Sequence, residues 1–315
     1  MDIYLAPIKD ITTSYYRNLY MDIFGALDAC YAPFIATTHM RKSNSPLFTE
    51  LLPKHNKTSI PLIPQLLGND SEDFSYFAKT IHQLGYQEIN WNIGCPSPKI
   101  IKKRKGSGIL PYPDDIKAFL DRVCQDTSYQ LSIKMRLGFN HNEEGQAIIE
   151  LMNDYPIHNI IIHGRTGKMM YTGDADLDAF ASFQNLSKHE LIYNGDITSP
   201  ADYEELRDKF PSLKACMIGR GLLFDPFLPL SIKGIHLKLE DKFIHLKRYH
   251  DGILAQYLND QTDEKYLCSK MKIFWHYTCG LFILSDDLLL GIKRCNTLSD
   301  YLLISQKIFD CPLKS

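Results

Sequence analysis

The sequence lacks the cysteine spacings that mark a disulfide framework or a zinc site. It has eight cysteines, but no two of them form a C-x-x-C pair and none has a histidine at ligand spacing. This pattern indicates free thiols in a reducing compartment. We therefore expect a cytoplasmic protein without disulfides and without a bound metal.

Long apolar runs and an excess of one charge are also absent. No apolar stretch approaches the roughly 20 residues that span a bilayer, and the N-terminus lacks the basic start and apolar core of a signal peptide. The net charge of −2 argues against a generally basic nucleic-acid binder, so any such contact must come from local patches. With 44% hydrophobic and 23% charged residues among 315, the composition is that of a soluble globular protein with a sizeable core and no membrane partner.

Short apolar runs alternate with helix-like segments through most of the chain. The runs predict strands near residues 3–6, 26–32, 61–66, 88–92, 130–135, 159–163, 191–194 and 215–218. Their spacing averages about 30 residues, which is what eight βα units of a barrel require. The sequence therefore predicts an α/β fold, a TIM (β/α)8 barrel with a parallel sheet.

The pattern changes near Asp241, where strand-like runs end and apolar residues recur at helical spacing. We place the linker near residues 231–234. The predicted organisation is a barrel over residues 1–236 and a small helical domain over residues 237–315.

The stretch Asn92-Ile93-Gly94-Cys95-Pro96 holds a thiol just after a predicted strand. Five of the seven residues from 99 to 105 are basic, and this stretch is called the basic segment below. A cysteine at a strand end next to a block of positive charge indicates chemistry on a polyanion, although a buried cysteine beside a solvated loop is the plainer alternative. A second turn, Gly106-Ser107-Gly108, follows the basic segment.

Polar residues follow nearly every predicted strand. In a parallel barrel these strand ends converge on one mouth, where catalytic residues gather. The residues are Pro7, Gln65, Asn92, Cys95, Lys134, Arg136, His163, Arg165, Asn194, Gly219 and Arg220. The loops after strands seven and eight are the usual phosphate cradle of this fold, because their glycines let backbone N–H groups approach an anion.

Several of these stretches resemble the tRNA-dihydrouridine synthase family of flavin enzymes. They occur in the family's order over about 220 residues: Ala6-Pro7, Gln65-Leu66-Leu67-Gly68, Asn92-Ile93-Gly94-Cys95-Pro96, Lys134-Met135-Arg136-Leu137-Gly138, His163-Gly164-Arg165-Thr166, Asn194-Gly195-Asp196 and Ile218-Gly219-Arg220-Gly221. The chain departs from the family at Ile8-Lys9-Asp10, after the first proline, and at Leu177, where a tryptophan is common. The first departure bears on flavin packing and the second on a loop facing the substrate.

The resemblance implies FMN as the cofactor, with NADPH or NADH as the electron donor. It implies that the flavin ring contacts Pro7, Ile8, Lys9, Gln65 and Lys134. The phosphate is expected against Asn194, Gly195, Asp196, Gly219 and Arg220, with His163 nearby. A lysine beside the N1/O2 edge of a flavin favours its anionic reduced form.

The resemblance also implies a reaction, the reduction of specific uridines in tRNA to 5,6-dihydrouridine. Reduced FMN supplies a hydride to C6, and Cys95 is the expected proton donor to C5, since a thiol with a pKa of about 8.5 is mostly protonated at neutral pH. Asn92, Arg165 and Tyr171 are the expected contacts for the base and its neighbours. The cations expected at the RNA phosphates are Lys99, Lys102, Lys103, Arg104 and Lys105. The resemblance further implies that residues 1–236 are the catalytic domain and that the helical domain, residues 237–315, binds RNA.

Other functions remain open from the sequence alone. One alternative is a flavin barrel that reduces a small molecule, such as a dihydroorotate-dehydrogenase-like or enoate-reducing enzyme. A second is an RNA-binding protein whose barrel has lost its flavin, and a third is a dihydrouridine synthase acting on ribosomal RNA. The sequence identifies neither the uridine position nor the nicotinamide, and it shows no obligate protein partner.

Overall fold

The computed structural model describes residues 1–42, 45–260 and 262–314. The chain forms two compact units. The first comprises Met1–Ser14, Leu27–Asp196 and Glu205–Gly219, and the second comprises Tyr15–Ala26, Ile197–Glu204 and Arg220–Ser315. The predicted boundary after residue 236 falls within the second unit.

The first unit contains a parallel sheet of ten short strands. They are β1 (Asp2–Leu5), β2 (Ala29–Tyr31), β3 (Ile35–Ala36), β4 (Leu62–Ile63), β5 (Gln65–Leu67), β6 (Glu88–Ile93), β7 (Gln130–Arg136), β8 (Ile157–His163), β9 (Glu190–Asn194) and β10 (Ala215–Ile218). Their order in the sheet is β3-β5-β6-β7-β8-β9-β10-β1-β2-β4.

The ten strands make the eight staves of a TIM-type barrel because two staves are each split in two. Strand β2 pairs with β4, and β3 pairs with β5, so the same two stretches of chain meet twice and the two ends of the sheet join. The breaks fall next to Pro33 and Pro64, which have no N–H to donate to a sheet ladder. The sequence prediction of eight staves is confirmed, and their interruption was not predicted.

The strands alternate between two buried faces. The outward face packs on helices, as when Trp91 stacks on Phe119 with ring centroids 3.9 Å apart. The inward face carries an apolar cluster on one side of the barrel, formed by Ala6, Ala29, Tyr31, Ile63, Ile161, Ile192, Ala215 and Met217. The inward positions of β5, β6 and β7 are instead polar, which reserves that side of the barrel for the site described below.

Helices connect the staves, and further helices follow the last strand. Their bounds are α1 (Ser14–Ile23), α2 (Ser71–Gln83), α3 (Pro98–Ile101), α4 (Pro113–Val123), α5 (Asn142–Met152), α6 (Leu177–Leu186), α7 (Pro200–Lys209), α8 (Arg220–Phe224), α9 (Leu228–Ile232), α10 (Leu239–Asn259), α11 (Glu264–Thr278), α12 (Asp286–Arg294) and α13 (Leu298–Phe309). Helix α2 begins after Asp70, whose carboxylate accepts from the Asp73 N–H, and ends before Gly85 in the left-handed region (φ 103°).

The second unit is helical, as the sequence predicts. Its core includes the rings of Tyr16, Tyr20, Phe24 and Tyr249, which pack at centroid distances between 5.0 and 6.3 Å. Among the described residues, no helix combines the length and the apolar character needed to cross a bilayer. All eight cysteines are free thiols.

Candidate active site

The predicted site residues of β6 to β9 lie on the inward face, near the carboxyl ends of their strands. The sheet register places Asn92 beside Lys134, and Arg136 beside His163, which in turn lies beside Asn194. Parallel pairing therefore brings residues far apart in the sequence to one end of the barrel.

A chain of side-chain amides runs across three strands beneath this mouth. The Asn92 amide donates to Gln65 Oε1 at 2.7 Å, and Gln65 Nε2 donates to Asn90 Oδ1 at 2.8 Å. Asn90 then donates to Ser132 Oγ at 2.9 Å. At the upper end, Asn92 Oδ1 accepts from the backbone N–H groups of Gly94 and Cys95 at 3.1 and 3.0 Å. The backbone of the thiol-bearing turn is thus tied to buried side chains below it.

The Cys95 turn is held from two further directions. Arg136 donates to the Gly94 carbonyl at 3.0 Å, and Ser107 donates to the Cys95 carbonyl through both its N–H and its hydroxyl. Gly106 is required here because its φ is 57° and an added Cβ would come within 2.5 Å of the Cys95 carbonyl oxygen. The turn is therefore rigid, and its thiol is only partly exposed.

Lys134 is a cation without a neighbouring carboxylate in the described part of the chain. Its ammonium donates to Asn194 Oδ1 at 2.6 Å, and the Asn194 amide donates to the Met217 carbonyl at 2.8 Å. Burial, with repulsion from Arg136, lowers the pKa of Lys134 from 10.5 to about 7. Burial likewise lowers the pKa of Arg136 to about 10. About half of the Lys134 side chains are therefore protonated at neutral pH, and a bound anion would favour the protonated form beside Arg136.

The thiol of Cys95 lies within the field of these cations. Burial raises the pKa of Cys95 above its ordinary value, while Arg136, Lys9 and Lys134 act in the opposite direction. Because desolvation is the larger effect, the group is a protonated thiol at neutral pH.

A second group of predicted residues surrounds Arg165. Its guanidinium donates to both carboxylate oxygens of Asp196 and to the Gly173 carbonyl, and it lies beside His163. The ring of Tyr171, which is 55% exposed, lies 6.3 Å from that of His163, centroid to centroid, and 5.3 Å from the Arg136 guanidinium. The structure thus joins a residue predicted for substrate, Arg165, to one predicted for phosphate, Asp196.

The segment after β1 forms a tight turn. The Ile8 N–H donates to Thr12 Oγ1 at 2.8 Å, and the Ile8 carbonyl accepts from Thr12. Asp10 lies in the left-handed region with a φ of 62°. Pro7 and Lys9 flank this turn, and Lys9 is exposed.

The predicted phosphate loops follow the last two staves. Gly195 and Asp196 come directly after β9, and Gly219 comes directly after β10. Arg220 begins α8 and belongs to the second unit.

The basic segment includes α3, and the turn that follows it packs on Cys95. Lys99, Lys102 and Lys103 are exposed and Lys105 is half-buried; within the described residues none of the four forms an ion pair. Arg104 differs, because it pairs with Asp115 at 3.6 Å and stacks on the Tyr112 ring at 4.2 Å. Four of the five predicted phosphate contacts therefore keep their charge uncompensated.

Sequence reasoning missed the lower part of the amide chain and the anchor of the Cys95 carbonyl. These are Asn90, Ser132 and Ser107. The Asn90-Trp91-Asn92 alternation was a usable signal for Asn90, because residues i and i+2 of a strand share one face. The same alternation places Ser132 on the face of Lys134, and the Gly106-Ser107-Gly108 turn was noted without a role for its serine.

Comparison with known proteins identifies a family whose sequence profile matches this chain. The sequence profile described as "Dihydrouridine synthase (Dus)" matches residues 4–278. The chain is 29% identical over 231 residues to the tRNA-dihydrouridine synthase B of Pasteurella multocida, covering 72% of this chain and 67% of that protein. It is 31% identical over 165 residues to tRNA-dihydrouridine synthase B of Escherichia coli K12, covering 52% of this chain and only 51% of that protein.

Solved structures share the fold at low sequence identity. A histamine dehydrogenase from Rhizobium sp. 4-9 superposes with a TM-score of 0.56 at 11% identity, covering 79% of this chain and 48% of that chain. A morphinone reductase in complex with tetrahydroNAD gives 0.54 at 9% identity, covering 75% and 87%. These likenesses support the barrel architecture alone.

Proposed function

Since the chain belongs to the dihydrouridine synthase family, we propose that it reduces the C5=C6 bond of specific uridines in tRNA to 5,6-dihydrouridine. The relatives named tRNA-dihydrouridine synthase B support tRNA as the substrate. The observation that carries the proposal is the Cys95 turn, held by Asn92 and Arg136 with its thiol near Lys134, and neither cationic side chain pairs with a carboxylate of the described residues.

The mouth residues fit FMN as the bound cofactor. Lys134 keeps two N–H groups beyond its bond to Asn194, and Arg136 adds a second positive charge nearby. The reduced flavin ring carries a negative charge at its N1/O2 edge, which this pair would stabilise. A carboxylate paired with Lys134 would instead have neutralised its charge and argued against such a cofactor.

The residues that would hold FMN are those that the family resemblance implies. Gln65 and Lys134 would face the ring, with Pro7 and Lys9 from the first turn. The backbone of Ile8 is already bonded to Thr12, so we assign Ile8 only a packing role. The phosphate is assigned to His163, Asn194, Gly195, Asp196, Gly219 and Arg220. Because the Asp196 carboxylate is paired with Arg165, it would not repel a phosphate strongly.

The chain's own residues would manage the proton. When bound, FMN would supply the hydride for C6 and would be recharged by NADPH or NADH. The Cys95 thiol would give its proton to C5, and the adjacent cations would accommodate the negative charge left on sulfur. One C5=C6 double bond is thereby replaced by two C–H bonds, at the expense of one nicotinamide and one proton.

The substrate contacts would come from the rim. A stacked uridine must leave its RNA helix to reach the barrel mouth. Asn92 would offer it one N–H, because its carbonyl oxygen already binds the Cys95 turn. Tyr171 is exposed enough to stack on a base, and the lysines of the basic segment would meet phosphates. Arg165 was expected at a phosphate, but it is 3% exposed and paired with Asp196, so we assign it the positioning of its loop.

The test is replacement of the thiol. We expect Cys95→Ala to keep the visible spectrum of its flavin and to reduce uridine in a tRNA transcript at least about 100-fold more slowly, which is the usual contribution of a positioned acid. Cys124→Ala is the matched control, since Cys124 is equally half-buried but lies before β7, at the amino end of the strands. Dihydrouridine would be counted by mass spectrometry of digested RNA.

Three results would contradict the proposal. Normal turnover by Cys95→Ala would remove the thiol from the chemistry. Reduction of a free enone or nucleobase without RNA would indicate a small-molecule enzyme. A purified protein without flavin absorbance would indicate an RNA-binding protein that does not catalyse reduction.

A further inference from the structure

The amide chain beneath Cys95 has a fixed polarity. The backbone N–H groups of Gly94 and Cys95 can only donate, so the oxygen of the Asn92 amide must face them. The Asn92 NH2 group must then face Gln65, which turns the Gln65 oxygen upward and its NH2 group down towards Asn90. Each amide orientation is therefore dictated by the one next to it.

The hydrogen bonds at the Asn90 end of the amide chain determine whether these amide orientations are stable. Asn90 is fully buried and accepts from Gln65 through its oxygen, while its NH2 group donates to the equally buried Ser132. If Asn90 could not accept there, the Gln65 NH2 group would be buried without an acceptor, and the orientation in which Gln65 accepts from Asn92 would be less stable. A flipped Gln65 would face Asn92 with two donors, and Asn92 would lose its hold on the Cys95 N–H.

We propose that Asn90 and Ser132 are positioning residues for Cys95. Both are fully buried below Gln65 in the amide chain, so we assign them no direct contact with substrate or cofactor. They act through Gln65 and Asn92 to fix the Cys95 turn and the one Asn92 N–H left for a ligand. This inference rests on the proposed role of Cys95 as proton donor.

The principal test compares two replacements of Asn90. Asn90→Leu has a similar size but cannot accept from Gln65, whereas Asn90→Asp can accept from Gln65 and from a rotated Ser132 hydroxyl. We expect Asn90→Leu to lower kcat about 10- to 100-fold with KM for tRNA changed less than about threefold, because misplacing a reacting group acts mainly on the chemical step. Asn90→Asp should recover most of the loss, and Ser132→Ala should give a smaller decrease than Asn90→Leu.

A second readout follows the thiol itself. The rate at which iodoacetamide alkylates Cys95 in the full-length protein, measured by peptide mass spectrometry from pH 6 to 10, should differ between Asn90→Leu and wild type. The difference arises because the turn no longer holds the sulfur in its present surroundings. This assay does not depend on RNA reduction, so a wild-type protein inactive on tRNA would refute the proposed function without affecting the positioning result.

Asn159→Leu provides the matched control. Asn159 is a buried strand asparagine of the same barrel, but it bonds Glu88 at 3.4 Å and has no link to Cys95. A general loss of stability would slow both leucine variants equally, and equal effects would overturn the proposal. Folded Asn90→Leu protein with unchanged kcat and unchanged alkylation would also overturn it. If Asn90→Leu does not fold, Ser132→Ala decides by the same two readouts.

Discussion

Lys134 is the residue whose buried charge most clearly lowers the stability of the folded protein. Its pKa is about 7 in the fold, compared with 10.5 for a solvated lysine. Between these values the unfolded chain binds a proton that the folded chain does not, so the group makes stability rise as pH rises from about 7 to about 10. The physical cause is burial beside Arg136 without a compensating carboxylate.

Lys134→Met should therefore separate cofactor binding from apoprotein stability. We expect the variant to bind flavin more weakly and to shift the flavin's reduction potential. In urea unfolding of the apoprotein, the stability of the variant relative to wild type should be greatest near pH 7 and should shrink as pH rises, with a slope difference of up to about 1.4 kcal/mol per pH unit.

The exposed Lys168 gives the control substitution, Lys168→Met, which should show no such slope difference. Parallel pH profiles for wild type and Lys134→Met, together with unchanged flavin affinity, would mean that the lysine is hydrated and carries no cofactor role.

Helices α10, α11 and α13 are joined by one buried polar network. The Trp275 N–H donates to the Tyr301 hydroxyl at 3.0 Å, and that hydroxyl donates to His250 Nε2. His250 Nδ1 is thereby the protonated nitrogen and donates to Asp251 at 2.8 Å. Burial lowers the pKa of His250, which keeps the ring neutral and suits it to accept from Tyr301.

Tyr301→Phe should destabilise this helical unit. The change leaves the Trp275 N–H and His250 Nε2 buried without their partner, which costs about 1–3 kcal/mol per unsatisfied group. The measurement is urea unfolding at pH 7 followed by circular dichroism. Tyr266→Phe on α11, whose ring is 50% exposed, should change stability by less than about 0.5 kcal/mol. Equal stability of Tyr301→Phe and wild type would show that water satisfies the network.

The secondary-structure elements show how much of the fold a single sequence predicts. Apolar runs at regular spacing predicted all eight staves. The predicted strand at 26–32 begins only at Ala29, because Gly25 and Ala26 both have positive φ. The local sequence pattern does not show which residues of a predicted strand have a left-handed backbone conformation, because tertiary contacts determine this.

The sequence predicted the site residues that lie at strand ends, but not the buried residues deeper in the barrel that hold them in place. Cys95, Asn92 and Lys134 follow from the rule that parallel strands converge. The link from Ser132 to Cys95 passes through three strands, and each hydrogen bond depends on register that the sequence does not encode locally. Similarly, the pairing of Arg165 with Asp196 joins two loops whose residues were assigned to different ligands.

The molecule as a whole is weakly acidic, with a net charge of −2, so tRNA binding would have to rely on where its cations lie. The basic segment is the strongest such concentration beside the mouth. Lys102 and Lys103 are exposed and form no ion pair among the described residues, whereas Arg104 is already paired with Asp115. Lys102 and Lys103 are therefore better phosphate ligands than Arg104.

Replacing Lys102 and Lys103 with Gln should lower the slope of log affinity for tRNA against log salt by about 0.7–0.9 per lost phosphate contact. The control replaces Lys188 and Lys214 with Gln, two exposed lysines just before β9 and β10, at the opposite ends of the strands from Cys95. Both variants lose the same net charge, so a general electrostatic attraction would change both slopes alike. A decrease confined to the Lys102/Lys103 variant locates the RNA at the mouth, and an unchanged slope would make the basic segment a solvated surface.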